Sequence, residues 1–198
     1  MKRLGLLLFL ILAVALMGGN ALAQNVGDNS VFFVTYFSYA NTSGAPNAAV
    51  RFINDGSVGT GANLWADYYV FDDSQELQEC CSCEVTADGI DSQWINAAST
   101  DSLTGNTLTG KPLTRGVIKV ISDSAGNADS PTPTAGLRGF AVHVQPLTKS
   151  AYGVTETKVA DSNLTTSELG TLGQLCTYAQ LLGSGSGVCS CTPEDHDF

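Results

Sequence analysis

The sequence predicts a mainly β chain: an antiparallel β-sandwich, disulfide-stapled, with one C-terminal α-helix. Three observations predict it. Short runs of β-branched and aromatic residues recur between turn clusters rich in Gly, Asn and Pro. The cysteines fall into two distant groups, Cys80, Cys81 and Cys83 against Cys176, Cys189 and Cys191. Helical periodicity is convincing only near the end of the chain. Strand-and-turn units without alternating helices fit stacked antiparallel sheets. An immunoglobulin-like architecture is compatible, without the Cys…Trp…Cys spacing of true immunoglobulin domains.

Taken in order, Val31 to Tyr39 is almost entirely β-branched and aromatic and reads as a central strand. The cluster Asn41 to Asn47 turns the chain, and Ala49 to Asn54 forms a second strand. Asp55-Gly56 starts the next turn, and Leu64 to Phe71 forms the third strand. Asp73 to Glu79 favours a short helical turn that delivers Cys80. Residues 84–115 are polar and predict short elements and loops, anchored by Trp94 and Ile95. Gly116 to Ile121 is a fourth strand, Asp123 to Gly136 a mobile loop, and Leu137 to Gln145 a fifth strand stopped by Pro146. Tyr152 to Val159 supplies a sixth.

The helix has a start and a stop. Thr165-x-x-Glu168 is a capping-box pattern, and Gly183 is placed to end the helix. Leu169, Leu172, Cys176 and Ala179 recur on one face, flanked by Leu175 and Leu182. Gly170 and Gly173 each cost about 1 kcal/mol against Ala in a helix. Their spacing predicts a close approach to the sheet, with Cys176 facing inward.

The first 23 residues read as a cleavable export signal. Lys2 and Arg3 precede an apolar run from Leu4 to Met17, and Ala21-Leu22-Ala23 supplies small residues for cleavage. The run is shorter than the roughly 20 residues of a membrane-spanning helix. Residues 24–191 are then one secreted β-rich domain, followed by a flexible polar tail, 192–198. No membrane span is expected after cleavage, and the location is secreted, periplasmic or cell-surface.

In an exported chain an even number of cysteines reads as disulfides. Bridges within Cys80-Cys81-Ser82-Cys83 need strained separations, so pairing between the groups is favoured. A local Cys176–Cys189 or Cys176–Cys191 bridge is the rival. Each long loop closed is worth about 4–5 kcal/mol on the chain-entropy account. A thiolate metal site for zinc or copper is the competing reading, although the spacing does not match Cys-x-x-Cys knuckles.

Without Lys2 and Arg3, seven basic side chains face 19 acidic ones. That balance argues against nucleic acid as a partner. No Gly-x-Ser-x-Gly, His-Glu-x-x-His or phosphate-loop motif is present. His143, between Val142 and Val144, reads as a structural or solvent-facing strand residue, and His196 lies in the tail. No catalytic residue, cofactor or metal ligand is assigned. Two oxygen-rich stretches, Asp67, Asp72, Asp73 and Glu76, and Asp123, Asn127 and Asp129, do not follow the EF-hand spacing and read as solvated acid. Asn41-Thr42-Ser43 and Asn163-Leu164-Thr165 fit the glycosylation acceptor pattern.

The expected function is a secreted or cell-surface structural or binding module for a protein or carbohydrate partner. Tyr39, Trp65, Tyr68 and Tyr69 would supply its surface if exposed. A secreted hydrolase, or an extracellular metal-binding protein, is the alternative.

Val70-Phe71-Asp72 before Cys80-Cys81-Ser82-Cys83, a helix carrying Cys176, and a Gly-rich loop, Gly183 to Gly187, running into Cys189-Ser190-Cys191 form a fingerprint. In these motifs the chain resembles an uncharacterised family of small secreted bacterial proteins over roughly residues 30–191. The resemblance implies that the cysteines act together and carries no chemistry.

Overall fold

A computed structural model describes residues 29–58, 61–96, 102–149 and 151–191. The segments read as export signal and polar tail lie outside the described residues. Among the described residues, nine strands and one helix follow in the order β1 (Phe32–Ser38), β2 (Ala49–Asn54), β3 (Leu64–Asp72), β4 (Leu77–Val85), β5 (Ile90–Trp94), β6 (Arg115–Asp123), β7 (Leu137–Thr148), β8 (Ala151–Lys158), β9 (Ala160–Asp161) and α1 (Thr166–Leu182). They build two antiparallel sheets, β4-β3-β6-β1-β9 and β5-β2-β7-β8.

Alternation along each strand creates two apolar layers. Phe33, Phe37, Leu64, Ala66, Tyr68, Val70, Ile118 and Val120 of the five-stranded sheet meet Val50, Phe52, Leu137, Ala141 and Val144 of the other. Phe52 joins the sheets by edge-to-face contacts with Phe33 at 5.3 Å and Tyr68 at 5.8 Å. The opposite face of the five-stranded sheet presents Phe32, Tyr69, Phe71, Cys80 and Ile121, which α1 covers with Leu172, Cys176 and Ala179. The arrangement is a sandwich with a helix on its outer face. No helix among the described residues is long and apolar enough to cross a membrane.

The structure corrects the sequence reading at several points. No helical turn delivers Cys80; Cys80, Cys81 and Cys83 sit on β4. The Asp72 carboxylate accepts the amides of Ser74 and Glu76 and the side-chain amide of Gln78, with Gln75 at φ 68°. These bonds fold residues 72–76 into a hairpin loop, and local capture of amides wins over helix propensity. Pro146 does not stop β7, which continues to Thr148 beside β8. Pairing with β2 ends at Val142, so the missing proline amide is tolerated on an open side. Strand β5 is one of the short elements the polar stretch predicts, whereas the two-residue β9 was not expected.

The loop after β6 closes on Asp123. Its carboxylate accepts the amides of Gly126 at 2.6 Å, Asn127 at 3.2 Å and Thr132 at 2.5 Å. Tyr69 donates its hydroxyl to the Ala128 carbonyl at 2.7 Å. The expected mobile loop is thus stitched over the outer face of the sheet.

Helix α1 begins as its sequence predicts: the Thr165 side chain accepts the Glu168 amide at 3.1 Å. Gly183 ends it in a right-handed conformation, its amide donating to Ala179. Gly173 permits a close approach, to the loop and not to the sheet: a Cβ there would lie 2.6 Å from the Asp129 carbonyl oxygen. Gly170 faces open space.

Candidate functional site

All six cysteines are paired: Cys80–Cys176, Cys81–Cys189 and Cys83–Cys191, with Cα–Cα distances of 5.7, 5.3 and 5.2 Å. Pairing between the groups is as expected, and the local rival does not occur. Strand alternation explains the division of labour. Cys80 points to the outer face and reaches the helix, whereas Cys81 and Cys83 point to the inter-sheet layer. The strap Gly185–Cys191 runs parallel to β4, with a bridge between Cys80 and Val188. The Cys80 amide donates to Gly187 at 2.9 Å, and the Cys189 amide to Cys80 at 3.4 Å. The strap therefore covers the edge that β4 would otherwise leave open. Asn106 secures it further, donating from its side chain to Gly185 and accepting the Gly187 amide at its carbonyl.

Beside the helix lies a cleft of about 300 Å³, lined by Phe71, Val117, Lys119, Glu168, Leu172 and Leu175 among others. Phe71 and Val117 are register partners on β3 and β6, and Lys119 follows two residues on, on the same face. The Lys119 ammonium stands 5.0 Å from the centre of the Phe71 ring and pairs with Glu168 from the first turn of α1. An apolar floor and one half-buried ion pair face each other across the opening. A second cleft, of about 590 Å³, adjoins the end of β1 and is lined by Ser38, Tyr39, Thr42, Asp73, Thr114 and Arg115. Arg115 pairs with Asp73 across it at 2.6 Å.

The aromatic residues suggested for a surface divide. Tyr68 and Tyr69 are fully buried. Tyr68 donates to Asp91 at 2.6 Å, and burial raises its phenol well above the usual range. Trp65 is half-buried, with Gly126 packed so closely on its indole that no side chain would fit there. Tyr39 is 38% exposed and meets Tyr152 edge-to-face at 5.9 Å.

The acidic stretches do not assemble as the sequence groups them. Asp72 and Asp123 cap turns, Asp73 pairs with Arg115, and Asp67 is buried on the sheet. Four of the described acids, Asp67, Glu79, Asp91 and Asp123, lie inside the protein, and their sequence context does not single them out as buried. Burial pushes Asp67 up to about 8, reinforced by the Asp123 charge and opposed by a hydrogen bond from Ser82. Burial pushes Glu79 up to about 7, opposed by the Asn106 amide, which it accepts at 2.9 Å. Asp91 is raised by burial against hydrogen bonds from Tyr68 and Gln93.

His143 lines neither cleft. Its ring stacks on Tyr36 at 4.5 Å, and Nε2 lies 3.1 Å from the Thr157 hydroxyl. Burial holds its imidazole below the ordinary range. Among the described residues, the one group of three or more potential ligand side chains with donor atoms all within 4.8 Å is Cys81, Cys83 and Cys191.

No protein-family profile matches the chain, and neither a curated protein nor a solved structure matches it.

Proposed function

We propose that the chain is an exported binding module, a β-sandwich that presents the cleft between α1 and the five-stranded sheet to a protein or carbohydrate partner outside the cytoplasm. The observation that carries this reading is the Cys80–Cys176 bond. It fixes the helix covalently to the sheet, and the helix supplies Glu168, Leu172 and Leu175 to the cleft. A volume of about 300 Å³ is at the lower end of the range for ligand pockets. The exposed ring of Tyr39 at the second cleft adds a neighbouring contact. Export is supported by the N-terminal segment and by the pairing of every cysteine, a state maintained in oxidising compartments.

Two measurements test the reading. The protein is expressed with its own N-terminus, and the extracytoplasmic fraction is sequenced and its thiols titrated. Material beginning at or near Gln24 with no free thiol is expected; an uncleaved cytoplasmic product with free thiols would overturn export. Glycan and peptide arrays are then probed with the wild type and with Lys119→Ala. Ligands retained by the wild type and lost by the variant are expected. Binding indifferent to Lys119, or absent from both arrays, would overturn the assignment of the cleft.

A further inference from the structure

We propose that Cys81, Cys83, Cys189 and Cys191, when reduced, form a tetrathiolate site for one thiophilic d¹⁰ cation such as zinc. The site follows from register. Cys81 and Cys83 project from one face of β4, and Cys189 and Cys191 from the parallel strap, each pair two residues apart. Both bridges span the same 108 residues, so the four sulfurs make two stacked rungs.

The distance between rungs is the telling quantity. Sγ of Cys81 lies 3.8 Å from Sγ of Cys83, although these two are not bonded. A tetrahedral centre with metal–sulfur bonds of about 2.3 Å has sulfur–sulfur edges of about 3.8 Å. Cys191 joins the same group, with all three sulfurs within 4.8 Å of one another; Cys189, bonded to Cys81, lies outside it and must swing in once that bond is reduced to supply the fourth ligand. Besides the bridges, two main-chain hydrogen bonds at Cys80 and the side chain of Asn106 hold the strap beside β4. Cys80–Cys176 lies on the other face, fully buried under the helix, and can keep the helix in place.

The chemistry balances with an external dithiol as reductant. Each bridge accepts two electrons and two protons and becomes two thiols, while the dithiol is oxidised to its own disulfide. Cys191 is half-buried and gives the reductant access to the Cys83–Cys191 bond. The freed Cys83 thiolate, 3.8 Å from Cys81, can then attack Sγ of Cys81, forming a Cys81–Cys83 bond as the Cys81–Cys189 bond breaks and Cys189 leaves as thiolate; the strain of that short-range bond makes it the next target of the dithiol. Further reduction yields four thiols, which lose their protons as a divalent cation binds.

The test uses the mature chain, reduced anaerobically with dithiothreitol, freed of reductant and titrated with Co²⁺. Alkylation and mass spectrometry should place the reduced cysteines at 81, 83, 189 and 191. One equivalent of Co²⁺ should give tetrahedral thiolate bands that Zn²⁺ abolishes. Cys83→Ser/Cys191→Ser should lose those bands, whereas Cys80→Ser/Cys176→Ser should retain them. Circular dichroism is followed throughout. A reduced wild type that keeps its β signature and gives no bands would overturn the proposal. So would a reduced chain that unfolds and is not refolded by Co²⁺, or a Cys83→Ser/Cys191→Ser variant that binds like the wild type. The proposal is independent of the cleft: failure on the arrays leaves the cobalt result unchanged.

Discussion

Cys80 and Cys81 are adjacent in the chain and tether opposite faces of one strand, Cys80 to Cys176 of the helix and Cys81 to Cys189 of the strap. A single strand thus governs both the outer layer and the sheet edge. Replacing Cys80 and Cys176 together by Ala should cost about 2–5 kcal/mol of stability in urea denaturation. Hydrogen exchange should rise across α1 while the strap stays protected. Equal loss of protection in both would show that the two tethers are not separable.

The two helix glycines make opposite predictions. Gly170→Ala should stabilise by about 0.5–1 kcal/mol, because the new methyl meets nothing and a flexible residue is removed. Gly173→Ala should destabilise by about 1–3 kcal/mol, because its Cβ would press against the Asp129 carbonyl. Thermal unfolding of the two variants side by side decides the matter, and the same sign for both would contradict the packing of α1 on the loop.

Stability should fall as pH rises from about 4 to about 8. Folded Asp67 holds its proton up to about 8 and Glu79 up to about 7, against ordinary values of 3.8 and 4.5. Over that window the folded state binds more protons than the unfolded state, so the slope of unfolding free energy with pH is negative. Asp67→Asn, neutral at every pH, should flatten the slope between pH 5 and pH 8. An unchanged slope would remove Asp67 from the account.

Asp123→Ala should release the loop between β6 and β7. Three backbone amides lose a charged acceptor, and hydrogen bonds to charged groups are worth about 1.5–3 kcal/mol each before relaxation. Faster exchange of the Gly126, Asn127 and Thr132 amides, with Cys80–Cys176 intact, is the expected signature. Unaltered exchange would mean that the loop is held from elsewhere.

Most of the fold was legible in the sequence wherever side-chain chemistry and backbone state agree. Val31 to Tyr39, Ala49 to Asn54 and Leu64 to Phe71 are β-formers between clear turns, and each is a strand within a residue or two. Thr165 and Glu168 announced the helix start. What failed was either a side chain competing locally with the backbone or a partner far off in the chain. Asp73 to Glu79 looks helical until the Asp72 carboxylate takes the amides around it. Pro146 looks terminal until β2 is seen to end before it. Burial of Glu79 and Asp67 leaves no local trace, because tertiary packing alone decides it. The matching spacing of Cys81-x-Cys83 and Cys189-x-Cys191 fits two paired strands, but equally in either direction; the parallel run of the strap beside β4 decides between them.

The separations of 96 and 108 residues between bonded cysteines bear on biogenesis. At about 5–20 residues per second, Cys80, Cys81 and Cys83 wait several seconds after synthesis before any correct partner exists. In the extracytoplasmic compartment proposed above, three unpartnered thiols are open to wrong partners for that interval. The yield of this protein in a heterologous host should therefore track the disulfide isomerase supplied there.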